Sequence, residues 1–196
     1  MNQKNTIIYF GMGCFTDTDV TVVKQLQKEY SVHWYVLHQP HDPYPVSFYA
    51  DFVKNSGVKL HMLHITNRRR SFKVLELMFK TFTEIVELSP SLIYSCCFDF
   101  YFSLAYLIKA KSIPLVFGVH DVIQHSDNRN SIFYHLSYRF SLFVGDMFLQ
   151  FSSNQNRVFK QLYPKLKSSM VGMSIKDYGE VKGCLLYTSD AADEAR

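Results

Sequence analysis

Short β-rich runs alternate with helix-patterned stretches along nearly the whole chain. That alternation restricts the fold to a mostly parallel sheet covered by helices on both faces. Thr6 to Phe10 reads as a first strand and Asp19 to Tyr30 as a helix, with Val20, Val23, Leu26 and Gln27 at helical spacing. Val32 to Leu37 reads as a second strand, and His38 to Pro45, which holds three prolines, as loop. Ser47 to Asn55 predicts a short helix, Gly57 a turn and Val58 to Ile65 a third strand. Ser71 to Leu88 predicts a long amphipathic helix with Phe72, Leu75, Phe79, Phe82 and Val86 as its apolar stripe, closed by Pro90.

The pattern continues with a strand at Ser91 to Cys96, a helix at Asp99 to Lys111 and a strand at Ile113 to Val119. Ile132 to Phe143 is helical, Asp146 to Phe151 a strand, Asn154 to Leu162 a helix stopped by Pro164, and Lys167 to Val171 a last strand. The sum is an α/β, doubly wound, mostly parallel, Rossmann-like sheet in one domain. Such a sheet binds ligands at the carboxyl ends of its strands. A chain of 196 residues with 47% hydrophobic and 16% aromatic content fills one such core and has no room for a second full domain.

Three short passages stand where a ligand would meet the sheet. Gly11-Met12-Gly13 follows the first strand, where small residues admit close approach of a backbone. It lacks the third glycine of a dinucleotide fingerprint and runs into bulky Cys14-Phe15-Thr16, which disfavours NAD or FAD. Leu115 to Val119 is an apolar strand ending on His120-Asp121. A histidine there can hydrogen-bond a ligand's hydroxyl or a transferring group, with Asp121 orienting it or accepting from a hydroxyl. Gly145 to Asn154 places an aspartate, an apolar strand and Ser152-Ser153-Asn154 in succession; Ser152 or Asn154 reads as a helix N-cap with room for a ligand contact.

In the order of their elements and in these three passages, residues 6 to 180 resemble the N-terminal half of the family 4-like glycosyltransferases, which have two Rossmann-like domains (the GT-B architecture). The resemblance implies a retaining, nucleotide-sugar-dependent transferase whose acceptor side is this domain, residues 1–183. The glycan, lipid-linked or small-molecule acceptor would bind here. The donor would be held by a second, C-terminal domain whose residues this chain does not include. His120 would lie at the reacting centre with Asp121 beside it, and Gly11, Gly13, Ser152 and Asn154 would contribute donor or acceptor contacts. The nucleotide sugar is a substrate, and neither a cofactor nor a metal is implied, because helix dipoles and basic side chains suffice for the departing diphosphate. As a half-enzyme the chain is expected to be inactive alone. Two other readings share the fold: a stand-alone flavodoxin-like binding or interaction module, and half of a sugar-nucleotide epimerase.

Cys184 to Glu194 resembles the translation of a transposon-type sequencing adapter, so residues 184–196 are expected to be non-native and are set aside. They hold three acids and one base; subtracting them from 17 acidic and 21 basic residues leaves 14 and 20, a basic remainder. Arg68-Arg69-Arg70, with Lys73 and Lys80, forms a basic cluster suited to an anionic membrane surface or a phosphate-bearing acceptor. No nucleic-acid-binding motif interleaves it. The start lacks a signal-peptide pattern, and the cysteines Cys14, Cys96, Cys97 and Cys184 form no C-x-x-C pair, with Cys96 and Cys97 expected on opposite faces of a strand. These features predict a soluble, cytoplasmic protein, peripheral to the inner face of the membrane. His38-x-x-His41 and His61-x-x-His64 lack the further ligands of a zinc site and read as surface or strand-end histidines.

Overall fold

The computed structural model describes residues 4–54, 56–66, 71–123 and 132–172. Within them the chain runs β1 (Thr6–Met12), a 3-10 turn (Gly13–Phe15), α1 (Thr16–Leu26), β2 (Ser31–His38), α2 (Val46–Lys54), β3 (Lys59–His64) and α3 (Phe72–Glu87). It continues through β4 (Leu92–Ser95), α4 (Phe100–Lys109), β5 (Leu115–Val119), α5 (Ile132–Val144), β6 (Met147–Gln150), α6 (Ser153–Leu162) and β7 (Ser168–Met170). Every strand expected from the sequence is present. The Arg68–Arg70 cluster and the 184–196 tail lie outside the described residues.

The seven strands form one parallel sheet in the order β3-β2-β1-β4-β5-β6-β7. Parallel neighbours require crossover connections, and the helices supply them. Alternate side chains along each strand serve opposite layers. Ile8, Phe10, Leu115 and Phe117 pack with Met78 of α3, Phe102 of α4, Tyr138 of α5 and Phe159 of α6. Ile7, Tyr9, Val32, Trp34 and Val36 pack with Val23 of α1 and Tyr49 of α2. The chain is therefore an α/β, Rossmann-like single domain with helices on both faces.

Three expectations need correction. The buried side of α3 is Val74, Met78, Thr81, Phe82 and Ile85, whereas Phe72 is 87% exposed and Val86 38%. The helix carries two adjacent apolar stripes, and only packing against α4 decides which one turns inward. Cys96 and Cys97 lie beyond the end of β4, not on opposite faces of it; both are buried, and the Cys97 amide donates to Ser95 Oγ at 2.9 Å. The first helix starts at Thr16, earlier than Asp19, because the 3-10 turn leads directly into it and Asp17 favours its amino end.

Local chemistry fixes the other ends. Asp99 caps α4, its Oδ1 accepting from the amides of Tyr101 at 2.8 Å and Phe102 at 3.1 Å. Beyond α3, Ser89 takes the left-handed conformation with φ of 45°, and its amide donates to Val86 O at 3.0 Å. At the amino ends of β5 and β6, the Asp146 carboxylate accepts from the Leu115 amide at 2.9 Å, the Tyr106 hydroxyl at 3.2 Å and Lys111 Nζ at 3.3 Å. Asp146 ties two strands together at the end of the sheet remote from His120.

Candidate functional site

From β1 the sheet grows one way through β2 and β3 and the other way through β4 to β7, so the carboxyl ends of β1 and β4 mark the point where strand order reverses. A cavity of about 370 Å³ opens there. Its wall comes from the end of β1 and the turn after it (Met12, Cys14, Phe15), the segment after β4 (Cys96 to Asp99), the end of β5 and the residues that follow (Gly118 to Asp121) and facing residues of α3, α4 and α5, among them Tyr134 and Tyr138.

His120, the first residue past β5, is half-buried with its ring between two aromatic rings. Phe15 lies 4.5 Å away at 6° to it, and Phe151 lies 4.7 Å away at 28°. Phe15 comes from the turn after β1 and Phe151 from the residue after β6, so the imidazole is held by elements on either side of its own strand. Burial lowers the His120 pKa and the charge of Asp121 opposes this. The result favours neutral imidazole, able to accept one hydrogen bond and donate another at neutral pH. Asp121 is exposed at the mouth, and the next amide, Val122, donates to Gln155 Oε1 at 3.0 Å, tying the segment to α6.

The other expected site residues lie around this centre without lining the cavity. A Cβ at Gly11 would sit 2.3 Å from Asp19 Oδ2, and one at Gly13 would sit 2.0 Å from Asp42 Oδ2. In both cases a carboxylate of the chain itself takes the room the glycine leaves. Asp42 also accepts from the Gln39 amide at 2.7 Å, so the β2–α2 loop is folded onto the β1 turn. Thr16 Oγ1 donates to Gly13 O at 2.8 Å and meets the Tyr49 hydroxyl, closing the same contact from α2. Ser152 is the N-cap of α6, accepting from the Gln155 amide at 3.2 Å. Asn154 is exposed on the first turn and accepts from Arg157 Nη2 at 2.9 Å.

One buried acid went unnoticed in the sequence. Asp19, on the inner side of α1, accepts from the Tyr9 hydroxyl at 2.7 Å. Burial pushes its carboxyl up to about 8, the Tyr9 hydrogen bond opposes the shift and Asp17 adds to it. The available signal was spacing: Asp19, Val23 and Leu26 share a helical face, so an acid stands on the buried stripe. Phe15 and Phe151 were missed as well, because nothing local joins residues so far apart in sequence.

The histidine pairs separate by place. His38 ends β2, with Nε2 3.1 Å from Tyr44 O, and His41 is exposed in the loop. His61 lies in β3 stacked on Tyr35 at 4.1 Å, its Nε2 3.1 Å from His33 Nδ1, while His64 is exposed at the strand end. Among the described residues no group of three or more His, Cys, Asp or Glu could hold a metal ion.

No family model matches the sequence, and no curated protein matches it. Solved structures do share its fold. UDP-GlcNAc 2-epimerase from Neisseria meningitidis, determined bound to UDP-GlcNAc, superposes with a TM-score of 0.57 at 12% identity, over 86% of this chain and 46% of its own. MurG of Acinetobacter baumannii gives 0.55 at 13% identity, over 89% and 47%. The lipopolysaccharide outer core galactosyltransferase WaaB gives 0.57 at 14% identity, over 85% and 45%. The chain spans less than half the length of each of these proteins. The likeness establishes the fold, one shared by glycosyltransferases and nucleotide-sugar epimerases.

Proposed function

We propose that this chain is the acceptor-side domain of a nucleotide-sugar-dependent glycosyltransferase of the family 4-like kind, with the donor held by a second domain. The observation that carries the reading is the cavity at the strand-order reversal with His120 at its mouth. In the reaction the acceptor hydroxyl oxygen bonds to the anomeric carbon as the bond from that carbon to phosphate oxygen breaks. The nucleoside diphosphate departs with the electron pair and takes up the hydroxyl proton. Neutral His120 accepts a hydrogen bond from the acceptor hydroxyl and fixes its direction, and Asp121 sets the charge beside it. Ser152 and Asn154 serve through the helix start that follows Phe151. The part played by Gly11 and Gly13 is to admit Asp19 and Asp42 behind the turn.

The test uses the protein encoded by the complete source gene, supplied with nucleotide sugars and a panel of hydroxylated acceptors. His120→Ala should lower transfer by on the order of 100-fold with the melting temperature preserved; unchanged transfer removes His120 from the site. A second reading, nucleotide-sugar epimerisation, is favoured by the likeness to the Neisseria meningitidis enzyme. Product analysis separates the two, since transfer yields an acceptor glycoside and epimerisation an isomeric nucleotide sugar.

The proposed setting is the cytoplasmic face of an anionic membrane. No described helix is long and apolar enough to cross a bilayer. Support for a peripheral contact comes from Phe72, 87% exposed beside Lys73 and two positions after the Arg68–Arg70 run in the sequence.

A further inference from the structure

We infer that Tyr138 is a ligand-recognition residue of the cavity beside His120, its buried hydroxyl bonding a hydroxyl at the inner end of the bound molecule, so that the acceptor is a sugar ring and not an alcohol with a single polar end. For the role of that molecule as acceptor the inference rests on the transferase reading above, and it names the chemical class.

Tyr138 belongs to α5, and it forms part of the cavity wall with its ring stacked at 5.1 Å on Phe98 of the same wall. It is only 5% exposed, and its hydroxyl has no hydrogen-bond partner among the described residues. Burial pushes its pKa well above the ordinary phenol range, so the group keeps its proton and can donate as well as accept. A buried hydroxyl left unpaired costs free energy, and folded proteins retain few of them. Other buried polar groups of the described residues are unpaired, Trp34 Nε1 and Ser168 Oγ among them, but of that set Tyr138 alone lines the cavity.

The rest of the wall is mixed in the way a sugar is mixed. Phe15, Phe98 and Phe102 offer aromatic surface to the C–H faces of a pyranose ring. His120, Tyr134 and Ser137 are half-buried and Asp121 is exposed, so polar groups also stand nearer the mouth than Tyr138 does. A ring with hydroxyls around its edge meets both levels at once. An alcohol with one polar end, directed at His120, would leave the Tyr138 hydroxyl unpaired and now shut off from water. The volume of about 370 Å³ lies within the range of pockets that enclose small organic ligands.

The probes are the methyl glycosides of glucose, galactose, mannose and N-acetylglucosamine, titrated against the chain by proton NMR. The comparison compound is (tetrahydropyran-2-yl)methanol, which keeps the ring and one hydroxyl. At least one glycoside should bind saturably and at least about tenfold more tightly than the pyran. Tyr138→Phe should weaken that glycoside by about tenfold and leave the melting temperature level or raised, since it removes an unpaired buried hydroxyl. Binding of the pyran as tight as that of every glycoside overturns the inference, as does the absence of saturable glycoside binding. So does a Tyr138→Phe protein that binds the glycoside as the parent does. A Tyr138→Phe protein that melts lower, or fails to fold, shows a hydroxyl already paired within the fold, with the neighbouring Tyr163 for instance, and overturns it too. Transfer by the protein from the complete gene separates this inference from the reading beneath it. If the glycoside binds as described and nothing is glycosylated, the sugar site stands and the transferase reading falls. If acceptors are glycosylated at a rate that Tyr138→Phe leaves unchanged, the transferase reading stands and the role of Tyr138 falls.

Discussion

Phe15 and His120 stack at 4.5 Å with their planes 6° apart, although the strands that carry them, β1 and β5, are separated in the sheet by β4. The contact bridges over the end of β4 and roofs one side of the cavity. It also sets the titration of the imidazole, because the flanking rings exclude the water that would stabilise its charged form.

Phe15→Ala should therefore raise the His120 pKa toward the ordinary value of 6.5. The sign for stability follows. A histidine whose folded pKa lies below its unfolded one leaves the unfolded state holding more protons, so stability falls as pH drops below about 6.5. Proton NMR titration of His120 in parent and variant checks the first claim, and melting temperature against pH the second. The variant should show the shallower acid loss; an unmoved pKa would mean the ring does not shield the imidazole.

Asp19 gives the opposite slope. Its folded pKa of about 8 stands above the ordinary 3.8, so the folded state holds a proton that the unfolded state releases. The stabilising difference is complete below about pH 4 and disappears as pH rises to about 8. Asp19→Asn, which keeps an oxygen for the Tyr9 hydroxyl, should remove this decline. Urea unfolding at pH 5, 7 and 9 should show parent stability falling and variant stability nearly level.

Gly11→Ala forces a methyl against Asp19 Oδ2 and should cost about 1–3 kcal/mol. Combined with Asp19→Ala, the loss should be smaller than the sum of the two single losses, because the obstructing carboxylate is gone. A double-mutant cycle by chemical denaturation measures the coupling. Strict additivity would show that the two positions do not compete for space.

Ser89→Gly relieves a left-handed residue at the end of α3 and should stabilise the fold by about 0.5–1 kcal/mol. Asp146→Ala leaves the Leu115 amide without its acceptor and should cost about 1–2 kcal/mol, with no change at the cavity, which Asp146 does not line. Thermal unfolding reads both, and a proton NMR titration of His120 unchanged in the folded Asp146→Ala protein checks the second half of its prediction.

The sheet was legible because a parallel strand buried on both faces is written as a continuous apolar run. Thr6 to Phe10 and Leu115 to Val119 are such runs, and a strand end is where His120 could be found. The inward face of α3 was not legible. Phe72, Leu75, Phe79 and Val86 satisfy helical spacing as well as Val74, Met78 and Ile85 do, and the choice lies in contacts with α4. The same holds at the site. His120 and Asp121 could be read from their own strand, but Phe15 and Phe151 acquire their role only when β1, β5 and β6 are brought side by side. Asp19 was not legible because an acid is almost never buried unless paired, and its partner, the Tyr9 hydroxyl, lies on a different element.

The strand order also has a consequence for synthesis. β1 is made before the other strands of the sheet and lies inside it, pairing on one side with β2 from Thr6 opposite Ser31 and on the other with β4 from Ile7 opposite Leu92. Once β2 has emerged from the ribosome, the second side of β1 must wait for α2, β3 and α3 to be translated. At roughly 5–20 residues per second that is about 3 to 10 seconds. For that interval the nascent chain carries Ile7, Ile8 and Phe10 on a strand with an open hydrogen-bonding edge, a target for chaperones and for other nascent copies.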